Sequence, residues 1–231
     1  MRTESPEAAR GVHVAPLRGA RAMIADKMRA SLAESAQVTH HADCEAKALL
    51  ALKERLAGAG ERVSLEDLII DRTVSTLRDH PDLNGFLKDR EIHLHDAVHL
   101  GVAIALPGNL LVAPAIFDAD LKSLAERANA RKDLVARAQT NRLTVAEMTG
   151  ATFTVTNLGR SRVRYFTPIV NPPQIAILGV GAVLDQARAG PGGAVETRPT
   201  LGPSLTFDHR AVDGAPAAAF LSALCEAIEA A

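Results

Sequence analysis

The chain has 231 residues, ample for a real core, and 47% of them are hydrophobic while only 3% are aromatic, so that core must be aliphatic. Its 26 Lys and Arg against 27 Asp and Glu leave a formal net charge of −1, which creates no field favouring nucleic acid or an anionic membrane. The only two cysteines, Cys44 and Cys225, have a spacing that fits neither a disulfide framework nor a zinc site, so a reducing cytoplasm is the expected compartment. Met1 to Gly11 is polar and lacks the apolar region of a signal peptide. Ala97 to Phe117 carries no charge, but Pro107-Gly108-Asn109 breaks it into halves too short to span a bilayer, and two buried strands joined by a turn are expected there.

Residues 1–15 read as a polar N-terminal arm. Residues 16–231 read as one domain, since no repeat, linker or composition break divides them. Ile24, Met28 and Leu32 recur every four residues and predict a helix over Ala20 to Ala33. Val38 to Glu45 predicts a strand, on which the adjacent His40 and His41 point to opposite faces and are poorly placed to chelate one metal. Leu49, Leu52 and Leu56 mark a second helix, stopped by Gly58 and Gly60. Ser64 to Asp67 resembles a capping box for a third helix, which His80-Pro81 ends ahead of a turn over Pro81 to Gly85.

Strands follow at Glu91 to His95, Val98 to Leu106 and Leu110 to Phe117. His93 and His95 share one strand face, either as a metal pair or, with no third ligand placed, as a solvated face. Asp118 to Ala138 predicts a long amphipathic helix, with Leu121, Leu124, Ala125 and Ala128 inward and its Arg and Lys in solvent. Thr144 to Glu147 is a second capping box, over a short helix. Strands are predicted at Thr152 to Asn157, Gln174 to Val183 and Leu201 to Phe207, with a hairpin turn at Gly190 to Gly193. Pro216 fits the first turn of a last helix whose inner face is Phe220, Leu221, Leu224 and Ile228. The elements come in runs, which indicates an α+β fold with a central mixed β-sheet covered by helices.

The chain has no P-loop and no GxSxG elbow, and Gly179-Val180-Gly181 lacks the third glycine of a dinucleotide fingerprint. The cysteines have no local context for a nucleophile. The stretch Thr206 to Gly214 (TFDHRAVDG) sets His209 at a strand end among charges, with Asp213 four residues on. This histidine is either a general base within reach of a hydroxyl or thiol, or a strand-end residue in a charged turn. A neighbouring acid would fix its tautomer or hold the loop.

Ordered segments over nearly the whole chain resemble the catalytic domain of the dihydrolipoamide acyltransferase (E2) component of 2-oxo acid dehydrogenase complexes, a family that shares the fold of chloramphenicol acetyltransferase. They are Pro16-Leu17-Arg18-Gly19 with Ile24-Ala25 and Met28, Val38-Thr39, His80 to Asn84 (HPDLN), Asp118 to Leu124 (DADLKSL), Gly150 to Gly159 (GATFTVTNLG), Thr167 to Gln174 (TPIVNPPQ) and Asp208 to Gly214 (DHRAVDG). The resemblance implies acyl transfer with coenzyme A or acetyl-CoA as co-substrate, and no metal. It makes His209 the general base and Thr156 the hydroxyl that stabilises the tetrahedral oxyanion. Asp213 would hold the active-site loop, for instance by pairing with Arg18. The site would lie between subunits of a homotrimer, with His209 and Thr156 from different chains.

The departures from the family shape the rest of the expectation. No lipoyl or subunit-binding domain is present in the sequence, and the chain stops at Ala231 without the Pro- and Leu-rich tail that joins trimers into cages. The glycine-rich turn after NxG is replaced by Arg160-Ser161-Arg162-Val163-Arg164-Tyr165, which is either solvent-facing or meets an anionic acceptor or carrier protein. The expected protein is thus a trimeric acetyltransferase acting on the hydroxyl of a small-molecule or carrier-bound acceptor, as in tetronate natural-product pathways. The alternatives are the core of an ordinary dihydrolipoyl acyltransferase and a structural trimer without turnover.

Overall fold

In the computed structural model, which describes residues 14–231, six α-helices and thirteen strands follow one another in runs. They are α1 (Ala20–Glu34), β1 (Gln37–His41), β2 (Cys44–Glu45), α2 (Lys47–Gly58), α3 (Leu65–Asp79), β3 (Gly85–Lys88), β4 (Glu91–Leu94), β5 (Leu100–Val102), β6 (Ile104–Leu106), β7 (Leu110–Val112) and β8 (Ala115–Ile116). The chain continues through α4 (Leu124–Gln139), α5 (Val145–Thr149), β9 (Phe153–Asn157), β10 (Ala176–Val180), β11 (Leu184–Ala189), β12 (Val195–Leu201), β13 (Pro203–Asp208) and α6 (Gly214–Glu229). Residues 1–13 of the expected arm lie outside the described residues.

The main sheet has the order β1-β13-β10-β9-β5-β8. It is mixed: β9 runs parallel to both β10 and β5, while β1–β13, β13–β10 and β5–β8 are antiparallel. A second sheet, β11-β12-β2, is reached when two segments turn the same corner together. Leu201 and Pro203 belong to different sheets, and so do His41 and Cys44. The corner is tight, since a Cβ on Gly202 would stand 2.4 Å from the Arg164 carbonyl oxygen. The expected strand Val38 to Glu45 is therefore two strands in two sheets.

One face of the main sheet is covered by helices. Val155, Leu178 and Leu205 are in register across β9, β10 and β13 and point into the core with Phe153 and Phe207. α6 closes this face with the predicted residues Phe220, Leu221, Leu224 and Ile228, all buried. The other face carries Thr154, Thr156, Gly179, Ser204 and Thr206. The loop 158–175 crosses it, with the Phe166 ring where a Gly179 side chain would be.

Local signals account for most element ends. The Ser64–Asp67 and Thr144–Glu147 capping boxes form at α3 and α5. Other predictions change. Val98 to Leu106 and Leu110 to Phe117 each divide in two, because Pro114 removes a ladder donor and the Pro107-Gly108-Asn109 turn closes a separate hairpin, β6–β7. The helix expected from Asp118 starts only at Leu124, because Ser123 and Glu126 form a third capping box and Asp118 is left-handed, at φ 48°. Leu121, expected inside, is 81% exposed. The cations of α4 are not all solvated either. Arg127 is buried and pairs with Asp71, while Arg131 binds Asp67 at 2.6 Å, which joins α4 to α3.

Candidate active site

The turn after β13 is rigid for reasons visible in its acids. Asp208 is 2% exposed, and its carboxylate takes the Arg210 guanidinium in a fork, with contacts of 3.0 and 2.6 Å. It also accepts from Arg210 N at 3.1 Å and from Ala36 N at 3.2 Å. Burial pushes its carboxyl up, but the bonds from Arg210 and Ala36 outweigh burial and hold it below the usual carboxylate range. His209 N donates to Ala36 O at 2.8 Å, so the backbone at the imidazole is tied to the residue before β1.

The His209 side chain itself is 44% exposed. Its ring sits 5.8 Å from the ring of buried Phe207, which His40 meets edge-on from the other strand at 5.0 Å. Asp213 is the N-cap of α6 but makes no side-chain cap bond, and its Oδ1 stands 3.6 Å from His209 Nδ1. At that distance, longer than a hydrogen bond, the carboxylate lies on the Nδ1 side of the ring and away from Nε2. The expected pairing of Asp213 with an arginine such as Arg18 is not made within one chain among the described residues. In this turn the acid gripped by arginine is Asp208, and Asp213 faces the imidazole.

Thr156 lies elsewhere. It is level with Gly179 on β10 and, through it, with Ser204 on β13, five residues before His209. At about 3.3 Å per residue along the strand and about 4.8 Å per strand across, the two backbones are about 19 Å apart. Thr156 also faces the loop side of the sheet, whereas Phe207 faces the helices. Within one chain the two side chains do not meet.

The arginines that replace the glycine-rich turn divide into two sets. Arg164 grips Asp43 at 2.7 and 2.8 Å, and Tyr165 donates to the same carboxylate. Arg160 and Arg162 stay exposed. Arg160 lines a cleft of about 280 Å³ with Asn157, Gly159, Ser64 and Arg131, at the Thr156 end of the sheet. A larger cleft of about 770 Å³, between Asp43, Glu45, Lys47, Arg188, Arg198 and Glu229, touches neither His209 nor Thr156. His93 lies beside Glu91, whereas His95 falls past the end of β4 and stacks on Phe86. His41 binds Ser204, on the face opposite His40. No helix among the described residues is long and apolar enough to cross a membrane. Sequence reasoning gave no role to Asp208, although the adjacent Arg210 was a signal for it.

The architecture is that of the chloramphenicol acetyltransferase-like fold, and chloramphenicol acetyltransferase itself superposes with a TM-score of 0.57 at 13% identity, over 89% of this chain and 92% of that one. A probable dihydrolipoamide acetyltransferase from Listeria monocytogenes superposes with a TM-score of 0.88 at 28% identity, over 95% of each chain. The Azotobacter vinelandii dihydrolipoamide acetyltransferase, in a crystal structure addressing the catalytic roles of a serine, a histidine and an asparagine four residues after it, gives 0.86 at 30% identity, over 99% of this chain and 96% of that one. Residues 9–231 match the family described as 2-oxoacid dehydrogenases acyltransferase (catalytic domain), and the chain belongs to that family. The dihydrolipoyllysine-residue acetyltransferase component of the Bacillus subtilis acetoin cleaving system is 41% identical over 215 residues, which is 90% of this chain and 53% of that protein. The chain thus spans about half the length of that curated relative.

These likenesses overturn one expectation. The similar proteins at 28% identity or more are dihydrolipoyl acyltransferases, and they do not support a small-molecule hydroxyl as acceptor or a place in natural-product synthesis, while chloramphenicol acetyltransferase, at 13%, shares the fold alone. That expectation rests on the lack of a lipoyl domain in the sequence, which says nothing about the chemistry of this domain's own pocket.

Proposed function

We propose that residues 16–231 are a single catalytic domain, the dihydrolipoyl acyltransferase core of a 2-oxo acid dehydrogenase-type complex, exchanging an acyl group between coenzyme A and a dihydrolipoyl thiol. The observation that carries the reading is His209 at the end of β13 with Asp213 on the Nδ1 side of its ring, in a chain of this family. The Azotobacter vinelandii enzyme supports the roles, because its histidine is likewise followed at the fourth position by an amide-sized side chain.

His209 Nε2 takes the proton of the attacking thiol, and the thiolate adds to the thioester carbonyl. Closing from its 3.6 Å separation onto Nδ1, Asp213 holds the tautomer that leaves Nε2 free and steadies the imidazolium. The tetrahedral oxyanion accepts a hydrogen bond from Thr156 Oγ1 of another copy, a contact commonly worth about 3 kcal/mol. Collapse expels the second thiolate, which recovers the proton from His209. The separation of His209 from Thr156 within one chain favours a homotrimer with sites between subunits.

The test is transfer from acetyl-CoA to dihydrolipoamide by the purified protein, followed through the thioester product. His209→Ala is expected to lose activity by about 10²- to 10⁴-fold with its oligomeric state intact. Near-wild-type transfer by that variant would sink the assignment of the base. Failure of the wild type to acylate dihydrolipoamide from acetyl-, succinyl- or branched-chain acyl-CoA would overturn the function.

A further inference from the structure

The fold brings together the chain's only two cysteines, from opposite ends of the sequence. Cys44, on β2, is 1% exposed, with its Sγ 3.7 Å from the Leu201 carbonyl oxygen of β12. Cys225 is half-buried on α6 and packs against the core beside buried Leu224. α6 is held across β2 at this place. One helical turn past Cys225, Glu229 Oε1 accepts from the backbone N–H of Glu45, the residue after Cys44, at 2.8 Å.

α6 and β2 thus bring both cysteines to one helix–sheet contact, and they differ in access, Cys44 being buried and Cys225 half-buried. The hydrogen bond with Cys225, then burial, pushes the Cys44 thiol up. The same contact lowers the Cys225 thiol, against burial and the nearby Glu229 and Asp43 carboxylates. The half-buried Cys225 is the thiol an oxidant reaches first, and the buried Cys44 is the partner placed to resolve the product. The 770 Å³ cleft is lined by Glu45, the residue after Cys44, and by Glu229, one turn past Cys225, but by neither cysteine, so access is through the partly exposed Cys225 itself. About 16 Å of helix, at about 1.5 Å per residue, separates Cys225 from Gly214 and the His209 turn, so the pair stands apart from the transferase site.

We propose that Cys44 and Cys225 form a redox-active pair that closes a reversible intramolecular disulfide, pinning α6 to β2, with a small hydroperoxide as oxidant and a dithiol as reductant. The Cys225 thiolate attacks one peroxide oxygen. The S–O bond forms, the O–O bond breaks, and the departing oxygen takes up the proton released by Cys225 and leaves as water or alcohol. Cys44 then attacks the sulfenic sulfur, the S–S bond forms, and the sulfenic hydroxyl leaves with the Cys44 proton as water. Two electrons pass from the two thiols to the peroxide. A dithiol reverses the bond by exchange and is itself oxidised to its disulfide.

The experiment treats the folded protein with hydrogen peroxide, then denatures it in a thiol-alkylating agent and measures the intact mass. The expected product is one chain lighter by two hydrogens with no alkylated cysteine, a linked Cys44–Cys225 peptide on digestion, and two alkylatable thiols again after dithiothreitol. Cys225→Ser, at the less buried position, is expected to fold, keep its transferase activity and form no link. Denaturing the wild type before adding peroxide should slow the link at least tenfold, because the fold is what holds the sulfurs together. Two free thiols after oxidation, sulfinic acid on Cys225 with Cys44 still free, or a bond between two chains would each overturn the proposal.

Discussion

A subunit-mixing experiment puts the between-copy site to the test. β13 carries His209 past one end of the main sheet, while β9, two strands away, carries Thr156 level with Ser204. The resulting gap of about 19 Å follows from strand geometry alone and exceeds the combined reach of the two side chains. Two variants are made, His209→Ala and Thr156→Val. The second keeps the β-branched shape of a strand residue but lacks the hydroxyl. Each is expected to lose about 10²-fold or more in turnover, from the missing base and the missing oxyanion donor respectively. The two are then unfolded, mixed in equal amounts and refolded together. In a cyclic trimer a site is intact when a Thr156→Val copy supplies His209 to a neighbouring His209→Ala copy that supplies Thr156. Random assembly gives about one quarter of sites in that state. Turnover of the mixture, measured with acetyl-CoA and dihydrolipoamide, is therefore expected at about a quarter of wild type, at least tenfold above either parent. A mixture no more active than the mean of its parents would refute the shared site.

Two further outcomes follow from the packing around the site. Asp208→Asn keeps the shape of the buried side chain but weakens its fork with Arg210, at a cost of about 2 kcal/mol near neutral pH, since hydrogen bonds to a charged group are worth about 1.5–3 kcal/mol and Arg210 is half exposed. The Asp208 carboxyl is held below its unfolded value of about 3.9, so its stabilisation is full above that value and fades as the pH falls through the folded pKa. Denaturant titrations of both proteins at neutral and at strongly acid pH should show the gap closing, and a gap unchanged in acid would rule out the ionic account. Gly181→Ala would set a Cβ 1.9 Å from the Arg164 carbonyl oxygen, so the Arg160–Tyr165 loop must move. The expected loss is about 3 kcal/mol in unfolding free energy, as for overpacked sites, with weaker protection of the Arg164–Asp43 contact in hydrogen exchange. A variant as stable as wild type would show that this loop is not wedged against β10.

The features legible without the fold are those that neighbours along the chain decide. The Ser64 and Thr144 capping boxes, the Gly190 to Gly193 turn and the inner face of α6 each depend on residues within a few positions of one another, and each forms where the sequence places it. The family was legible for the same reason, because its signature is a series of short ordered segments. Where two local signals competed, as between the apolar spacing from Leu121 and the Ser123–Glu126 box, the cap won and Leu121 was left outside. Contacts set by strand order and register had no local trace. Only the tertiary structure decided that Arg127 and Arg131 turn inward to Asp71 and Asp67, and that Cys44 meets Cys225. It alone showed that Asp208 takes an arginine while Asp213 faces the imidazole. The sequence singled out His209, and the sheet, by its register, holds Thr156 out of its reach in the same chain.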